Sequence, residues 1–311
     1  MPPPPRGRLA RFFFMHLGTL VGIIVYFTYF ERGGRTVEGT AHALRVALGV
    51  HTVYALIAYW LGELKHFDVG LWLFLTVGAL AAAIGIVPVL ELYHHYSPAL
   101  LFTTFGLTAV IPLLLGREPF TVFYGVRQAP RWQHATPAFT DISRVMALFW
   151  AVLFFTAALF SAARPFDPTY TTLIPNMLVL LVGIPAGWWL PPLWLRLFPS
   201  APPAAAEPLI MGMPLVFDRR AAADARAVIQ FRISGPSPGD YWVRVEKGKC
   251  ESFEGLASSA DLTVHTPEDV WVGIIHGKLD GGQALTERRY SVEGDPLLLN
   301  KLTEWFRGGR S

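Results

Sequence analysis

The stretch DLTVHTPEDVWVGIIHGKLD, residues 261–280, decides the fold of the C-terminal third of this 311-residue chain. Its first residues alternate between apolar and polar types, a period of two that is typical of a half-buried strand. The next residues predict a helix, with the hydroxyl of Thr266 as the N-cap and Pro267 at the first helical position. Gly277 predicts the end of this helix, because glycine adopts the left-handed conformation at low cost. The stretch therefore predicts a strand followed directly by a short amphipathic helix.

The sequence on either side extends this α+β pattern. Residues 227–235 (AVIQFRISG) and 241–248 (YWVRVEKG) alternate in the same way, and the KGK turn predicts a hairpin into CESFEG. The Ala/Arg-rich residues 219–227 predict a helix before the first strand. After a short strand near Tyr290, Asp295 and Pro296 predict the start of a final amphipathic helix.

Both amphipathic helices have strongly apolar faces, which must be covered by other parts of the protein. In a domain of about 100 residues, such faces either pack against each other as an ordinary core or line a cavity. Periodicity alone does not distinguish these two interpretations.

Taken together, these elements resemble the sterol carrier protein 2 (SCP2) domain family. The resemblance depends on the opening stretch, on QAL at residues 283–285, and on VEGD at residues 292–295 with the LLLNKL that follows. It covers roughly Met213–Phe306. The sequence departs from the usual family pattern at residues 287–289, Glu-Arg-Arg, which leaves ligand choice open.

The resemblance implies a curved sheet and helices that enclose an apolar tunnel for a lipid-like ligand. A sterol, hopanoid, acyl or isoprenoid molecule would suit such a tunnel, since each buried CH₂ contributes about 0.8 kcal/mol. The tunnel-lining residues predicted in this way are Phe231, Val270, Trp271, Ile274, Ile275, Leu285, Leu298, Leu302 and Phe306.

The rest of the chain has the composition of a membrane protein. The whole sequence is 52% hydrophobic and 16% charged, with a mean hydropathy of +0.39, whereas soluble domains carry about 25% charged residues. The net charge of +3 comes from residues 1–208, with 13 Lys and Arg against 9 Asp and Glu, while residues 209–311 carry 13 against 14. Residues 209–311 therefore have no excess of positive charge that could bind phosphates, so we expect no nucleic-acid partner.

Uncharged or nearly uncharged runs predict about six membrane-spanning helices, with five as the alternative count. The N-terminal region also resembles hydrophobic bacterial membrane proteins of unknown function, which implies no activity. The six predicted spans are Phe12–Phe30, Val46–Leu61, Val69–Leu90, Ser97–Gly116, Val145–Ala163 and Pro168–Leu195.

The predicted organisation is therefore a helical membrane domain (residues 1–199), a Pro/Ala linker (200–208) and an SCP2-like domain (209–311). The connections between the predicted spans carry nine Lys and Arg residues on one side of the membrane and four on the other. Because the side with more basic residues is usually cytoplasmic, this predicts a multi-pass inner-membrane protein with both termini in the cytoplasm.

No catalytic motif is recognisable, and the sequence predicts no metal and no cofactor other than a bound lipid. The single cysteine, Cys250, excludes an internal disulfide. Four histidines, His16, His51, His94 and His95, lie in or near apolar runs, where ionisable groups are often functional. Haem or metal ligation is one interpretation of these histidines, and interfacial hydrogen bonding is the one we favour.

Three hypotheses follow from the sequence. The leading one is a non-enzymatic protein that accepts, presents or transfers a hydrophobic ligand at the membrane, with membrane lipids as its partners. The second is a membrane enzyme or transporter whose SCP2-like domain feeds or senses its substrate. The third is a scaffold for a lipid-synthesis complex, for which the protein partners are unknown.

Overall fold

The computed structural model describes residues 18–33, 36–222 and 224–306. These residues form two compact units. One contains the described residues up to Arg127 together with Asp141–Phe198, and the other contains Gln128–Thr140 and the described residues from Pro199 onward.

The described residues of the N-terminal two thirds are mainly helical, and among them five helices are long and apolar enough to span a membrane by length and composition. These five are α2, α3, α4, α7 and α8 in the numbering that follows. The helices are α1 (Gly18–Arg32), α2 (Val37–Trp60), α3 (His66–Ile84), α4 (Val87–Leu114), α5 (Phe120–Gln128), α6 (Arg131–His134), α7 (Pro137–Ala163) and α8 (Thr169–Leu197, with π-helical turns at Thr169–Leu173 and Leu178–Gly183).

Two predicted spans have different boundaries in the structure. The predicted span Val69–Leu90 crosses the break between α3 and α4, where Gly85 adopts a φ of 74°. The predicted span Ser97–Gly116 is only the C-terminal part of α4, which runs through Pro98. Proline removes one hydrogen bond and displaces the turn before it, and Tyr96 accordingly has non-helical φ and ψ values of −124° and 20°. The helix resumes after this local kink.

The remaining spans agree more closely with the structure. The short predicted span Val46–Leu61 belongs to the longer helix α2, which begins after Thr36 because the Thr36 hydroxyl accepts the N–H of Gly39. The predicted span Phe12–Phe30 overlaps α1, whose 15 described residues do not form one of the five candidate spans, and its residues before Gly18 lie outside the described residues.

Small residues bring the helices of this unit close together. A Cβ atom on Gly22 of α1 would lie 2.7 Å from Nδ1 of His51 in α2, and one on Gly78 of α3 would lie 2.7 Å from Leu44 of α2. Helices in apolar surroundings associate through such close van der Waals packing.

The C-terminal unit is an α+β domain with a five-stranded sheet in the order β3-β2-β1-β4-β5. Only β1 and β4 pair in parallel. Its elements are α9 (Ala206–Met211), β1 (Arg226–Ser234), β2 (Gly239–Glu246), β3 (Lys249–Glu254), β4 (Leu262–Pro267), α10 (Glu268–Ile275), α11 (Gly281–Thr286), β5 (Ser291–Gly294) and α12 (Leu297–Trp305).

The strand register aligns the apolar residues of the sheet on one face. Val243, Ile229 and Leu262 form one row across β2, β1 and β4, and all three are fully buried. Phe231 pairs with Val264 in the next row, and both are also fully buried. The helices of the domain contribute to the same apolar cluster, so they cover this inner face.

Three local predictions in this domain were wrong. Residues 219–222 and 224 form turns instead of a helix, because the Asp218 carboxylate accepts the N–H groups of Arg220 and Ala221 and so competes with helical hydrogen bonds. Thr266 is not the N-cap of α10: it lies in β4, and its hydroxyl donates to the carbonyl of Pro267. The C-terminal end of the predicted linker, from Ala206 on, is the first turn of α9.

Candidate functional site

The candidate site is the apolar cluster between the inner face of the sheet and the helices. At its centre, the ring of Phe231 on β1 faces the indole of Trp271 on α10, with centroids 4.9 Å apart and an interplanar angle of 56°. Phe231 is fully buried and Trp271 is 7% exposed. The two aromatic rings join the sheet to the helix layer.

The structure brings eight of the nine predicted tunnel residues together in or against this cluster. Five are buried members, and three are partly buried and pack against it. The buried members are Phe231, Val270, Trp271, Leu298 and Leu302, and the partly buried ones are Ile274, Leu285 and Phe306.

Ile275 is the exception among the predicted residues. It is 49% exposed and does not belong to the cluster. It is the last residue of α10, where the chain turns away through Gly277. Position at the helix terminus therefore explains why its apolar side chain is not covered.

The end of α10 is fixed by backbone hydrogen bonds that the sequence anticipates. Gly277 has a φ of 69°, its N–H donates to the carbonyl of Ile274, and the N–H of Lys278 donates to the carbonyl of Gly273. These two bonds form a Schellman motif. The motif sends the chain from α10 towards α11 and so limits the length of the apolar helix face.

The start of α10 is fixed by the side chain of Glu268. This carboxylate is 8% exposed, and its two oxygens accept the N–H of Ala206 at 3.2 Å and the N–H of Ser237 at 3.1 Å. Because a carboxylate also interacts favourably with the N-terminus of a helix, Glu268 holds α9, the loop after β1 and α10 together.

Buried polar groups elsewhere around the cluster also have partners. The hydroxyl of Tyr290 donates to the carbonyl of Gly281 at 3.0 Å, and burial followed by the charge of Asp280 raises the pKa of Tyr290. The side-chain amide of Gln230 donates to the carbonyls of Tyr241 and Gly255 and accepts the N–H of Ala257.

Sequence reasoning missed several members of the cluster. Ile210 of α9 is fully buried and Trp305 of α12 is 3% exposed. Trp305 is on the apolar face predicted for the last helix, so its spacing from Leu298 and Leu302 indicated that it would be buried with them. Ile210 is the second residue after the predicted linker, and its apolar neighbours in PLIMGMPLVF were the local indication that this segment packs into the domain.

The unusual residues 287–289 lie on the surface. All three are exposed, and Arg288 adopts a positive φ of 57°. The carboxylate of Glu287 accepts a hydrogen bond from the side chain of Gln283. These charges therefore do not enter the apolar cluster.

Three of the four histidines singled out in the sequence, His51, His94 and His95, form hydrogen bonds. His51 is fully buried, and its Nε2 donates to the backbone carbonyl of Asp68 at 2.9 Å. His94 contacts the hydroxyl of Thr40 at 3.2 Å, and His95 donates to the carbonyl of Glu91 at 2.8 Å. His16 lies outside the described residues. Within residues 18–33, 36–222 and 224–306, no group of three or more His, Cys, Asp or Glu residues is arranged to hold a metal ion.

A cluster of polar groups surrounds Asp68 in the same unit. Its carboxylate accepts hydrogen bonds from the hydroxyls of Thr19 and Tyr54 and from the backbone N–H of Lys65, whose ammonium nitrogen lies 3.9 Å away. Asp68 and Lys65 are 0% and 3% exposed. Side chains from α1 and α2 thus converge on the start of α3.

Comparison with known proteins identifies the C-terminal domain. Residues 218–307 match the model of the SCP-2 sterol transfer family. Comparison with curated protein sequences gave no match.

Solved structures of sterol carrier proteins resemble about 31% of this chain. The palmitated SCP2L2 of Aedes aegypti is 24% identical over 31% of this chain and 86% of its own, with a TM-score of 0.27. The apo form of sterol carrier protein 2 from Yarrowia lipolytica is 16% identical over 31% of this chain and 84% of its own, with a TM-score of 0.26. The sterol carrier protein domain 2 of Helicoverpa armigera is 20% identical over 31% and 78%, with a TM-score of 0.28.

Proposed function

We propose, from the premise that residues 218–307 form an SCP2 domain, that this protein binds a hydrophobic lipid in that domain and holds the domain at a membrane with its N-terminal helices. The observation that carries the proposal is the apolar cluster around Phe231 and Trp271. Helices α10 and α12 both face it, and it contains eight of the nine residues expected to line a lipid tunnel.

The ligand site that we propose lies between α10, α12 and the inner face of β1. Separating the helix layer from the sheet would open space next to residues that are already apolar, so the ligand would replace side-chain contacts with contacts of the same kind. Sites for small apolar molecules are typically lined in this way.

The membrane role that we propose rests on helices α2, α3, α4, α7 and α8. Their outward residues include many large apolar side chains, such as Trp60 at 86% and Leu159 at 73% exposed. Water would not favour such a surface, whereas lipid chains would. Attachment to the same chain would keep the domain at high local concentration near the bilayer, with both termini on the cytoplasmic side.

Lipid extraction from the purified full-length protein tests the binding function. We expect mass spectrometry to detect a hydrophobic molecule retained at close to one per chain. A chain that is folded, carries no lipid and takes up none from donor vesicles would contradict the proposal.

Two neighbouring leucines of α12 provide a matched pair of variants. Leu298 is 7% exposed in the cluster, and Leu297 is 66% exposed. We expect Leu298→Trp to fill the site and reduce lipid uptake by at least about tenfold, while Leu297→Trp leaves uptake unchanged. Melting temperatures of both variants show whether each one is folded. Equal uptake by two folded variants would place the site elsewhere.

Membrane attachment is tested separately. We expect the chain to stay in the membrane fraction after alkaline carbonate extraction, and tags at both ends to be accessible only from the cytoplasmic side. Release by carbonate would contradict the spanning helices, and a tag accessible from outside would contradict the orientation.

A further inference from the structure

The indole N–H of Trp271 is a buried donor without an acceptor. The residue is 7% exposed, and its Nε1 atom has no hydrogen-bond partner among the described residues. An indole nitrogen can only donate. An unsatisfied buried donor destabilises the folded state, so this position carries a penalty that a phenylalanine would avoid.

The other buried polar groups near the cluster do not share this property. Tyr290, Gln230 and Glu268 all have the partners described above. His265 Nε2 also lacks a hydrogen bond among the described residues, but it faces a carboxylate oxygen of Glu293 at 3.4 Å. Within the described part of the domain, Trp271 is therefore the buried donor for which neither a hydrogen bond nor a facing charge is present.

The surroundings of Trp271 restrict the chemistry of a matching acceptor. The cluster consists of aliphatic and aromatic residues, and among the described residues of the domain no Lys, Arg or His is buried. A carboxylate buried there would have no cation to pair with, and unpaired charge is very costly in an apolar interior. A neutral oxygen on an otherwise apolar molecule satisfies the N–H without introducing charge.

We propose that Trp271 is a specificity-determining residue whose N–H donates to a neutral oxygen of the bound lipid, such as an ether, ester carbonyl or hydroxyl oxygen. This inference rests on the proposed function and narrows its ligand. The site selects an amphiphile with an uncharged acceptor over a hydrocarbon of equal length and over a fatty carboxylate.

Three probes with the same sixteen-carbon chain test the proposal: hexadecyl methyl ether, hexadecane and hexadecanoate. Binding is measured with the full-length chain in nanodiscs, and each affinity is corrected for partitioning of the probe into protein-free nanodiscs. The corrected affinities are then compared between the native protein and Trp271→Phe. The matched control is Trp242→Phe. Trp242 lies on the outer face of the sheet, stacked on Phe253 with centroids 4.1 Å apart.

We expect the native protein to prefer the ether over hexadecane by about fivefold, the equivalent of one hydrogen bond. Trp271→Phe should abolish this preference, and Trp242→Phe should keep it. The same preference in Trp271→Phe, or an equal loss of affinity for ether and hexadecane, would overturn the role of the N–H. If none of the three probes binds the native protein, the proposed lipid-binding function itself fails.

A measurement on the native protein keeps the test valid if Trp271→Phe does not fold. The chain contains 10 tryptophans, and their indole N–H groups give separate signals in ¹H–¹⁵N spectra. Hydrogen bonding moves such a signal downfield. We expect one indole signal to move downfield with the ether and none to do so with hexadecane. No downfield shift with bound ether would overturn the proposal.

Discussion

The carboxylate of Glu268 and the backbone N–H of Ala206, 62 residues apart in the sequence, are joined by a buried hydrogen bond of 3.2 Å. The second carboxylate oxygen accepts the N–H of Ser237. One side chain thereby ties α9 to the start of the helix that carries Trp271. The arrangement of the helix layer over the sheet depends on this contact between distant segments.

Glu268→Gln should destabilise the domain by about 1–3 kcal/mol, because the new amide NH₂ faces one of the two N–H donors and leaves it unsatisfied. For a domain of this size, we expect the melting temperature to fall by several degrees. Asp269→Asn is the control, since Asp269 is exposed in the same helical turn and the substitution changes the helix-end charge equally. Equal melting temperatures for the two variants would show that the bridge contributes nothing.

Gly294, in the VEGD sequence, should not tolerate alanine. Its φ is 102°, and a Cβ atom would lie 2.3 Å from the backbone oxygen of Asp261. Gly255 has a similar φ of 93° with no atom within 4 Å of the added Cβ. We expect Gly255→Ala to cost about 1–3 kcal/mol from backbone strain alone.

Gly294→Ala should cost more than this control, because the clash forces β4 and β5 apart as well. Thermal unfolding of both variants, followed by tryptophan fluorescence, measures the difference. A smaller loss for Gly294→Ala than for Gly255→Ala would show that the β4–β5 contact is not tight in solution.

Asp68→Asn should destabilise the helical unit by about 3–5 kcal/mol, because removing one partner of a buried ion pair leaves the other charge without compensation. Thermal unfolding in detergent is the measurement. Glu118→Gln is the control. It removes a carboxylate that is exposed and should change the free energy of unfolding by less than about 1 kcal/mol. Similar midpoints for both variants would mean that the polar groups around Asp68 do not hold α1, α2 and α3 together.

Cys250 should react slowly with alkylating reagents. Burial, and secondarily the charge of Glu251, raises its pKa from 9.0 to about 12. At pH 8 the native thiolate fraction is then at least ~100-fold lower than in the unfolded chain, and only the thiolate is nucleophilic. Iodoacetamide labelling followed by mass spectrometry measures both rates. Equal rates in the native and denatured chain would contradict the raised pKa.

The same shift predicts how stability depends on pH. The folded pKa lies above the unfolded one, so this contribution to stability is fully present below about pH 9 and is lost as the pH rises towards about 12. Unfolding of the native protein and Cys250→Val should therefore differ in pH dependence only above pH 9. If the free energies of unfolding of the two proteins differed by the same amount from pH 7 to 11, the substitution would act through packing alone.

Much of the C-terminal fold was predictable from the sequence because it depends on local patterns. Alternation in residues 227–235 and 241–248 placed β1 and β2, and Gly277 marked the end of α10. The predicted helix at residues 219–227 was wrong, since a single hydrogen-bonding side chain, Asp218, outweighed a favourable composition. In the helical region, hydropathy located the apolar segments but misplaced two boundaries. A helix ends at Gly85 inside an apolar run, because Gly85 adopts a left-handed conformation. Pro98 kinks its helix without ending it.

The sequence by itself determined the five strands, helices α10 and α12, and which faces of them are apolar, since these properties depend on neighbours a few residues away. Only the tertiary structure decided that Ile275 is exposed, that Glu268 binds the start of α9, and that the N–H of Trp271 is buried without an acceptor. Burial and hydrogen-bond satisfaction depend on atoms supplied by distant segments, so no local pattern contains them.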